Sequence, residues 1–279
     1  MSDTFLEIEW LQAHASDPLV RIVDTRSKPH GAPDLVAPTG AEQYAAGHIP
    51  GAIHLDYAHE LADPATPYTM RVAPAESFAR TLGAHGIGDE HTIVAYDDGD
   101  VPYAARFVWM CRYYGRDDVR ILAGGFKAWR AAAYAETTDV PTFPPAIFST
   151  HERPTLRASR AEVIAAIEDP NVQLLETQRD KTYALRDRDI AGTTRLSGSK
   201  LLLDERGGRI APKATLDALV ADLALDPRKR TILTCGSGVS ASGAYLALLE
   251  AGFNDLAVYD GSWLEWSHDG LPTVPKPPP

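Results

Sequence analysis

The sequence predicts an α/β fold of two repeated units, each a parallel sheet flanked by helices. Short apolar, β-branched segments alternate with helical segments, their order occurs twice, and a proline-rich stretch separates the copies. Thr92-Ile-Val-Ala-Tyr96 matches Thr231-Ile-Leu-Thr-Cys235, an offset of 139 residues (231 − 92 = 139). We therefore expect domains at 1–135 and 156–274, joined by a linker at 136–155.

Other predicted strands also match between the halves. Val20-Arg-Ile-Val-Asp24 corresponds to Val172-Gln-Leu-Leu-Glu176, and Val119-Arg-Ile-Leu122 corresponds to Leu256-Ala-Val-Tyr259. A glycine and aromatic residues follow the last of these strands, pairing Gly124 with Gly261, Phe126 with Trp263 and Trp129 with Trp266. Because so many segments share one order, we interpret the chain as a duplicated unit.

Helical patterns fill the spaces between the strands. Phe78 and Leu82 are four residues apart on one predicted helix face, and Ser159 with Glu162 forms a capping box that begins another helix. Cys111 lies in an apolar helical segment, where we expect it to pack in the core. The residues 274–279 are predicted to form an unstructured tail.

Composition narrows the function classes. The net charge of −11 argues against nucleic acid as a partner, because phosphate binding requires basic surfaces. No apolar segment is long enough to span a membrane, and the N-terminal residues do not resemble a signal peptide, so a cytoplasmic location is expected. The two cysteines form neither a disulfide framework nor a metal-ligand spacing, and we expect no metal and no cofactor.

Cys235 lies where a predicted strand ends and a predicted helix begins. A Gly-Ser-Gly turn at 236–238 follows it, and the helix is expected to begin near Val239 or Ser240. Unpaired N–H groups at such a helix start stabilise an anion, and they lower the pKa of a cysteine from about 8.5. We therefore favour a reactive thiolate over the alternative, a buried structural thiol.

Three segments carry a resemblance to a known family. They are Gly47-His-Ile-Pro-Gly-Ala52 with the downstream Asp56, the loop Cys235-Gly-Ser-Gly-Val-Ser240, and Tyr259-Asp-Gly-Ser-Trp-Leu-Glu-Trp266. Together they resemble the tandem two-domain sulfurtransferases of the rhodanese superfamily, over nearly all of the chain. The resemblance implies a catalytic C-terminal domain and a non-catalytic N-terminal domain, in which Tyr96 stands where the second half has Cys235.

The same resemblance implies a reaction. Cys235 attacks the outer sulfur of a small-molecule donor, becomes a persulfide, and passes the sulfur to a thiol or cyanide acceptor. The loop looks like the 3-mercaptopyruvate branch, whose proposed catalytic serine and histidine correspond to Ser237 and His48; a purely structural His48 is the alternative. The remaining loop residues expected to bind the donor are Gly236, Gly238, Val239 and Ser240.

The sequence departs from the family pattern at two places. The second half lacks its own Gly-His-Ile-Pro-Gly motif, and Gln178 stands where the family carries an arginine that binds the donor's carboxylate. Arg179, Arg186 or Arg188 could replace that arginine, since a guanidinium binds a carboxylate in a bidentate manner; otherwise they belong to a solvated turn. These departures leave the identity of the donor open.

Four alternatives remain at this stage. A thiosulfate:cyanide sulfurtransferase shares the mechanism but uses another donor, and a non-enzymatic rhodanese-like binding protein would be expected to lack the cysteine. A phosphatase would need an arginine at position 241, which is Ala241. A dinucleotide-binding domain would need its third glycine earlier than Gly243. The oligomeric state is left open.

Overall fold

A computed structural model describes residues 4–27, 38–68, 70–99, 102–201 and 208–276. Each half of the chain contains one five-stranded parallel sheet with helices on both faces, as the sequence predicts. The strand order β1-β5-β4-β2-β3 in the first half corresponds to β6-β11-β10-β7-β9 in the second. The duplication that the sequence predicts is therefore present in the topology.

The N-terminal half supplies five strands and five helices among the described residues. The strands are β1 (Phe5–Leu6), β2 (Val20–Asp24), β3 (Ala52–His54), β4 (Thr92–Tyr96) and β5 (Val119–Leu122). The helices are α1 (Ile8–His14), α2 (Gly40–Ala46), α3 (Ala75–Ala84), α4 (Pro102–Tyr113) and α5 (Gly125–Ala131).

The C-terminal half repeats this plan with additions. Its strands are β6 (Arg157–Ala158), β7 (Val172–Glu176), β8 (Arg188–Ile190), β9 (Thr194–Arg195), β10 (Arg230–Thr234), β11 (Leu256–Tyr259) and β12 (Thr273–Pro275). Its helices are α6 (Arg160–Ala166), α7 (Asp180–Tyr183), α8 (Gly198–Leu201), α9 (Lys213–Asp222), α10 (Val239–Glu250) and α11 (Ser262–His268). Strands β8 and β12 pair antiparallel, so the prediction of an unstructured tail from residue 274 is wrong: Val274 and Pro275 pair with Asp189 and Arg188.

The largest apolar cluster is shared by the two halves. Helix α4 packs against α10, and buried residues such as Trp109 and Leu246 belong to the same continuous cluster. Cys111 is buried in α4 within it, which confirms its predicted packing role. Separate apolar clusters cover the outer face of each sheet. Because the common cluster lies between the sheets, the carboxyl ends of β4 and β10 face a shared cleft.

Two helix predictions are confirmed in detail. The side chain of Ser159 accepts the backbone N–H of Glu162, and the Glu162 side chain accepts the N–H of Ser159, so α6 begins with the predicted capping box. Phe78 and Leu82 are buried on α3. These local signals correctly place the helices that cover the two sheets.

Candidate active site

Cys235 directly follows β10 and precedes α10, at the edge of the sheet where the sequence predicts it. The turn between them ends at Gly238, whose φ of 80° lies in the left-handed region. A Cβ there would come within 2.9 Å of the Nη1 atom of Arg106, so both the backbone angle and the space favour glycine. The tight turn brings the backbone N–H groups of Ser237 and Ala241 to the Cys235 sulfur.

The segment 262–264 holds the cysteine loop in place by hydrogen bonds. The hydroxyl of Ser262 accepts the N–H of Cys235 at 3.2 Å and the N–H of Gly238 at 3.1 Å. Its single proton can go to the Tyr259 carbonyl at 2.8 Å or toward the Cys235 sulfur at 3.9 Å. The N–H groups of residues 263 and 264 also donate to the carbonyls of residues 235 and 236. Hydrogen bonds from this segment therefore hold the loop through its backbone.

A cavity of about 370 Å³ lies above Cys235, between the two halves. The C-terminal half contributes the cysteine loop and the start of α7, and the N-terminal half contributes the region after β2 and the start of α4. The lining residues are Arg26, Ser27, Pro38, Gln43, Asp97, Asp98, Pro102, Tyr103, Gln178, Arg179, Thr182, Cys235, Gly236, Ser237, Val239 and Ser240. Any small molecule that reaches the thiol contacts both domains.

The pKa of Cys235 lies above its ordinary value, so the prediction of a lowered pKa is wrong for the resting protein. Burial raises the pKa most, because the thiol is only 1% exposed, and the carboxylate of Glu176 raises it further. The N–H groups of Ala241 and Ser237 and the hydroxyl of Ser262 oppose this shift. The helix start is apparent from local sequence, whereas the burial of the thiol and its proximity to Glu176 depend on tertiary packing.

Most of the predicted loop residues do line the cavity. The cavity wall includes Gly236, Ser237, Val239 and Ser240. Gly238, in the same loop, is not on the wall and lies against Arg106. Of the three candidate arginines, Arg179 lines the cavity. These residues remain the predicted binding set.

Arg186 and Arg188 do not reach the cavity. Arg186 is buried and bound to the carboxylates of Glu176 and Asp189, and its guanidinium lies 4.8 Å from the ring of Trp263. Arg188 is exposed on β8, where it donates to the hydroxyl and carbonyl of Thr273. Neither guanidinium therefore lies on the wall of the cavity above Cys235.

His48 is also outside the cavity. Its ring is buried, stacks on Tyr44 at 3.7 Å, and has its two nitrogens within hydrogen-bond distance of the carbonyls of Tyr44 and Asp139. Its backbone pairs with Thr137, at the start of the predicted linker. These contacts favour the structural alternative, in which the Gly-His-Ile-Pro-Gly turn anchors the linker.

The Rhodanese-like domain family matches the chain twice, over residues 7–132 and 159–269. The chain belongs to the rhodanese-like domain family. It is a tandem-domain sulfurtransferase: a 3-mercaptopyruvate sulfurtransferase of Escherichia coli K12 is 28% identical over 286 residues, covering 99% of each chain. A thiosulfate sulfurtransferase of Corynebacterium glutamicum is 30% identical, covering 95% of this chain and 88% of that relative.

A solved rhodanese-like structure agrees with this fold. The crystal structure of SseA from Escherichia coli, described as a 3-mercaptopyruvate sulfotransferase, superposes with a TM-score of 0.83 at 27% identity. The match covers 93% of this chain and 98% of that one. The expected architecture, two tandem rhodanese-like domains that each contain a parallel sheet flanked by helices, is confirmed.

The N-terminal rhodanese-like domain has a different residue at the nucleophile position. Tyr96 is buried there, and its hydroxyl donates to Asp24 at 2.7 Å. Asp24 also binds Arg26, whose guanidinium lies 4.2 Å from the Phe126 ring. A ring and an ion pair thus occupy the place that a thiol and its ligand would need. Asp97 and Asp98, which follow it in the chain, line the cavity.

Two functional positions were not recognised in the sequence. Ser262 is buried with a φ of 50°, and the duplication aligns it with Gly125, whose φ is 55°. A serine where the repeat needs a left-handed residue was the available signal. Glu176 is predicted only as the end of a strand. Its aligned partner Asp24 binds Arg26, two residues away, whereas Glu176 binds Arg186 from farther along the chain.

The described residues offer no alternative metal centre or membrane segment. Across 4–27, 38–68, 70–99, 102–201 and 208–276, no three His, Cys, Asp or Glu side chains are grouped closely enough to hold a metal ion. No helix in these ranges has the length and apolar content needed to cross a bilayer.

Proposed function

We propose that this sulfurtransferase takes sulfur from 3-mercaptopyruvate through a persulfide on Cys235 and passes it to a thiol or to cyanide. The observation that carries the proposal is the uncharged loop, residues 235–240, at the base of a cavity between the domains. Backbone N–H groups surround the sulfur, and no charged side chain belongs to the loop. Such a loop suits a donor with one carboxylate better than the thiosulfate dianion.

The reaction proceeds in two transfers. The Cys235 thiol loses its proton to water, and the resulting thiolate attacks the sulfur of mercaptopyruvate, so that an S–S bond forms and the C–S bond breaks. The electron pair of the C–S bond leaves on carbon as pyruvate enolate, which takes up a proton to become pyruvate. An acceptor thiolate or cyanide then attacks the outer sulfur, and the Cys235 thiolate leaves. Splitting the transfer in this way replaces one difficult step with two easier ones.

Three residues around Cys235 have a defined part in this proposal. The N–H groups of Ser237 and Ala241 stabilise the negative sulfur. The Ser237 hydroxyl lies on the cavity wall and can donate to the enolate oxygen. Arg179 lines the same wall and is the arginine of the C-terminal domain positioned to bind the donor's carboxylate.

Thiosulfate is the second candidate donor. The observation that favours it is Arg26, which brings a second guanidinium to the cavity wall from the N-terminal domain. However, Arg26 is bound to Asp24 at 2.6 Å, so its charge is largely balanced. The name of the Corynebacterium glutamicum relative also fits this donor.

A comparison of kcat/KM for the two donors tests the proposal. With cyanide as the common acceptor, we expect a higher value for 3-mercaptopyruvate than for thiosulfate. Arg179→Gln should raise the KM for mercaptopyruvate by roughly tenfold, the worth of a charge-assisted hydrogen bond. Arg188→Gln is the matched control, because Arg188 lies outside the cavity. A wild-type preference for thiosulfate would overturn the choice of donor.

A further inference from the structure

Asp260 is a buried carboxylate at the junction of the two domains. It directly follows β11 and is 2% exposed. From the N-terminal domain, Arg106 donates to its Oδ1 atom, and the N–H of Val72 donates to its Oδ2 atom at 3.0 Å. Arg157 lies 3.2 Å from Oδ2, and Arg71 lies 3.7 Å from it. This carboxylate thus contacts three guanidinium groups between the domains, one of which, that of Arg71, is also bound by a second carboxylate at 2.7 Å.

Arg106 connects this carboxylate to the cysteine loop. Its guanidinium is completely buried, lies 4.7 Å from the Trp109 ring and also donates to the Met70 carbonyl at 2.7 Å. A Cβ at Gly238 would lie 2.9 Å from Arg106 Nη1 and 3.3 Å from Asp260 Oδ1. The Arg106–Asp260 pair therefore packs directly against Gly238, the last residue of the turn.

Asp260 reaches the same loop through the chain as well. Two residues after it, Ser262 accepts the N–H groups of Cys235 and Gly238. Asp260 and Ser262 therefore belong to one short segment that contacts the loop at both ends of its turn.

The Arg106–Asp260 contact, from the N-terminal domain to the Cys235 loop, has no counterpart at the equivalent positions of the other half. Helices α4 and α10 match with an offset of 137 residues (239 − 102 = 137), as do Gly124 and Gly261 (261 − 124 = 137). With this offset, Arg106 corresponds to Gly243 and Asp260 corresponds to Ala123. The mirror contact, from the C-terminal domain to the Tyr96 loop, therefore has neither charge. An ion pair needed only to join the domains would not require this asymmetry.

We propose that Arg106 of the N-terminal domain is a positioning residue for the Cys235 loop. Through Asp260 and Gly238 it fixes the turn, so that the N–H groups of Ser237 and Ala241 converge on the sulfur. The domain without a nucleophile thereby contributes to the reactivity of the domain that has one. This inference rests on the proposed role of Cys235.

The pH dependence of Cys235 alkylation tests the inference without a sulfur donor. Iodoacetamide labelling of Cys235 is followed by peptide mass mapping from pH 6 to pH 11 in the full-length chain. In Arg106→Met the N–H groups of Ser237 and Ala241 should no longer converge on the sulfur. The pH at which labelling of Cys235 is half-maximal should therefore rise by about half a unit. Single-turnover sulfur uptake from mercaptopyruvate should fall about tenfold, with little change in KM.

Arg157→Met is the matched control, because Arg157 binds the same carboxylate through Oδ2, away from Gly238. Its midpoint should stay near that of the wild type. An Arg106→Met protein that is folded by circular dichroism and shifts no more than Arg157→Met would overturn the inference. If Arg106→Met does not fold, Arg106→Lys against Arg157→Lys decides in the same way. In another outcome, the wild-type protein takes up no sulfur while Arg106→Met still shifts the alkylation midpoint more than Arg157→Met does. That result would contradict the proposed function and leave this inference standing.

Discussion

At the scale of single residues, the thiol of Cys235 is under opposing influences. Burial and the Glu176 carboxylate raise its pKa, and the surrounding N–H groups and the Ser262 hydroxyl lower it. The net direction is upward, so the resting thiol is protonated at neutral pH and its reactivity increases as the pH rises. The N–H groups and the Ser262 hydroxyl therefore offset only part of the cost of placing negative charge on this buried sulfur.

Removing the charge of Glu176 should make Cys235 more reactive at neutral pH. A nearby carboxylate disfavours the thiolate, so Glu176→Gln should lower the midpoint of the alkylation profile. Asp189→Asn is the control, because Asp189 binds the same Arg186 but is not among the main influences on Cys235. A midpoint that rises in Glu176→Gln, or that falls equally in both variants, would contradict this explanation of the pKa.

Replacing Ser262 by glycine should separate reactivity from stability. Glycine relieves the cost of about 1 kcal/mol for a left-handed serine, while the N–H groups of Cys235 and Gly238 lose their acceptor. We expect sulfur uptake about tenfold slower, with a small change in Tm. Ser267→Ala, which removes an exposed hydroxyl from α11, is the control. Unchanged sulfur uptake in Ser262→Gly would show that this hydroxyl does not contribute to the reactivity of Cys235.

At the scale of elements, we propose that the lack of charge in the Cys235 loop determines which donor the enzyme prefers. Gly236→Arg combined with Ser237→Lys places cations beside the sulfur and should shift the ratio of kcat/KM values toward thiosulfate by about 1–3 kcal/mol. Because a Cβ at position 236 would meet the Gln178 amide at 3.1 Å, that flexible side chain must move slightly. Arg157→Lys and Arg160→Lys are the controls, because both residues lie outside the cavity. A ratio that moves toward mercaptopyruvate would show that charge in the loop does not select the donor.

The elements themselves follow from sequence patterns, but the contacts of the long side chains do not. The strands at Val172–Glu176 and Arg230–Thr234 and the capping box at Ser159 are local signals, so they were predictable. The partner of Glu176 was not, because Arg186 lies ten positions later and its guanidinium could equally have faced the cavity. The burial that raises the Cys235 pKa depends on packing between domains, which no local pattern reports.

At the scale of the whole molecule, the interface between the domains holds the site together. The apolar cluster around α4 and α10 joins the halves, and the pair Arg106–Asp260 lies at its edge beside the cysteine loop. The duplication itself was predictable from the sequence, but the packing of the two copies was not. The interface is asymmetric, because the positions aligned with Arg106 and Asp260 are Gly243 and Ala123.

The interface should be sensitive to acid. Burial alone would raise the pKa of Asp260, but Arg106 and Arg157 outweigh it and hold the pKa below its ordinary value. The stabilisation is therefore present above the unfolded carboxyl pKa, about 3.9, and is lost as the pH falls through the folded value. Asp260→Asn should be less stable at pH 7 by about 3–5 kcal/mol and should lose less stability on acidification. Urea unfolding at several pH values measures this.

Asp217→Asn is the control for that series, because Asp217 is an exposed carboxylate that binds Lys213. Its unfolding free energy should follow that of the wild type at every pH. An Asp260→Asn protein with the same acid sensitivity as the wild type would show that this carboxylate does not set the pH dependence of the interface.

Intact mass after incubation with 3-mercaptopyruvate tests the central claim most directly. The account predicts that the wild-type chain gains one sulfur atom, that Cys235→Ser gains none, and that Cys111→Ser, which keeps Cys235, gains the same sulfur as the wild type. Addition of cyanide should return the mass to its starting value. Sulfur found on Cys111, or a folded wild-type chain that gains no sulfur from mercaptopyruvate, would contradict the account.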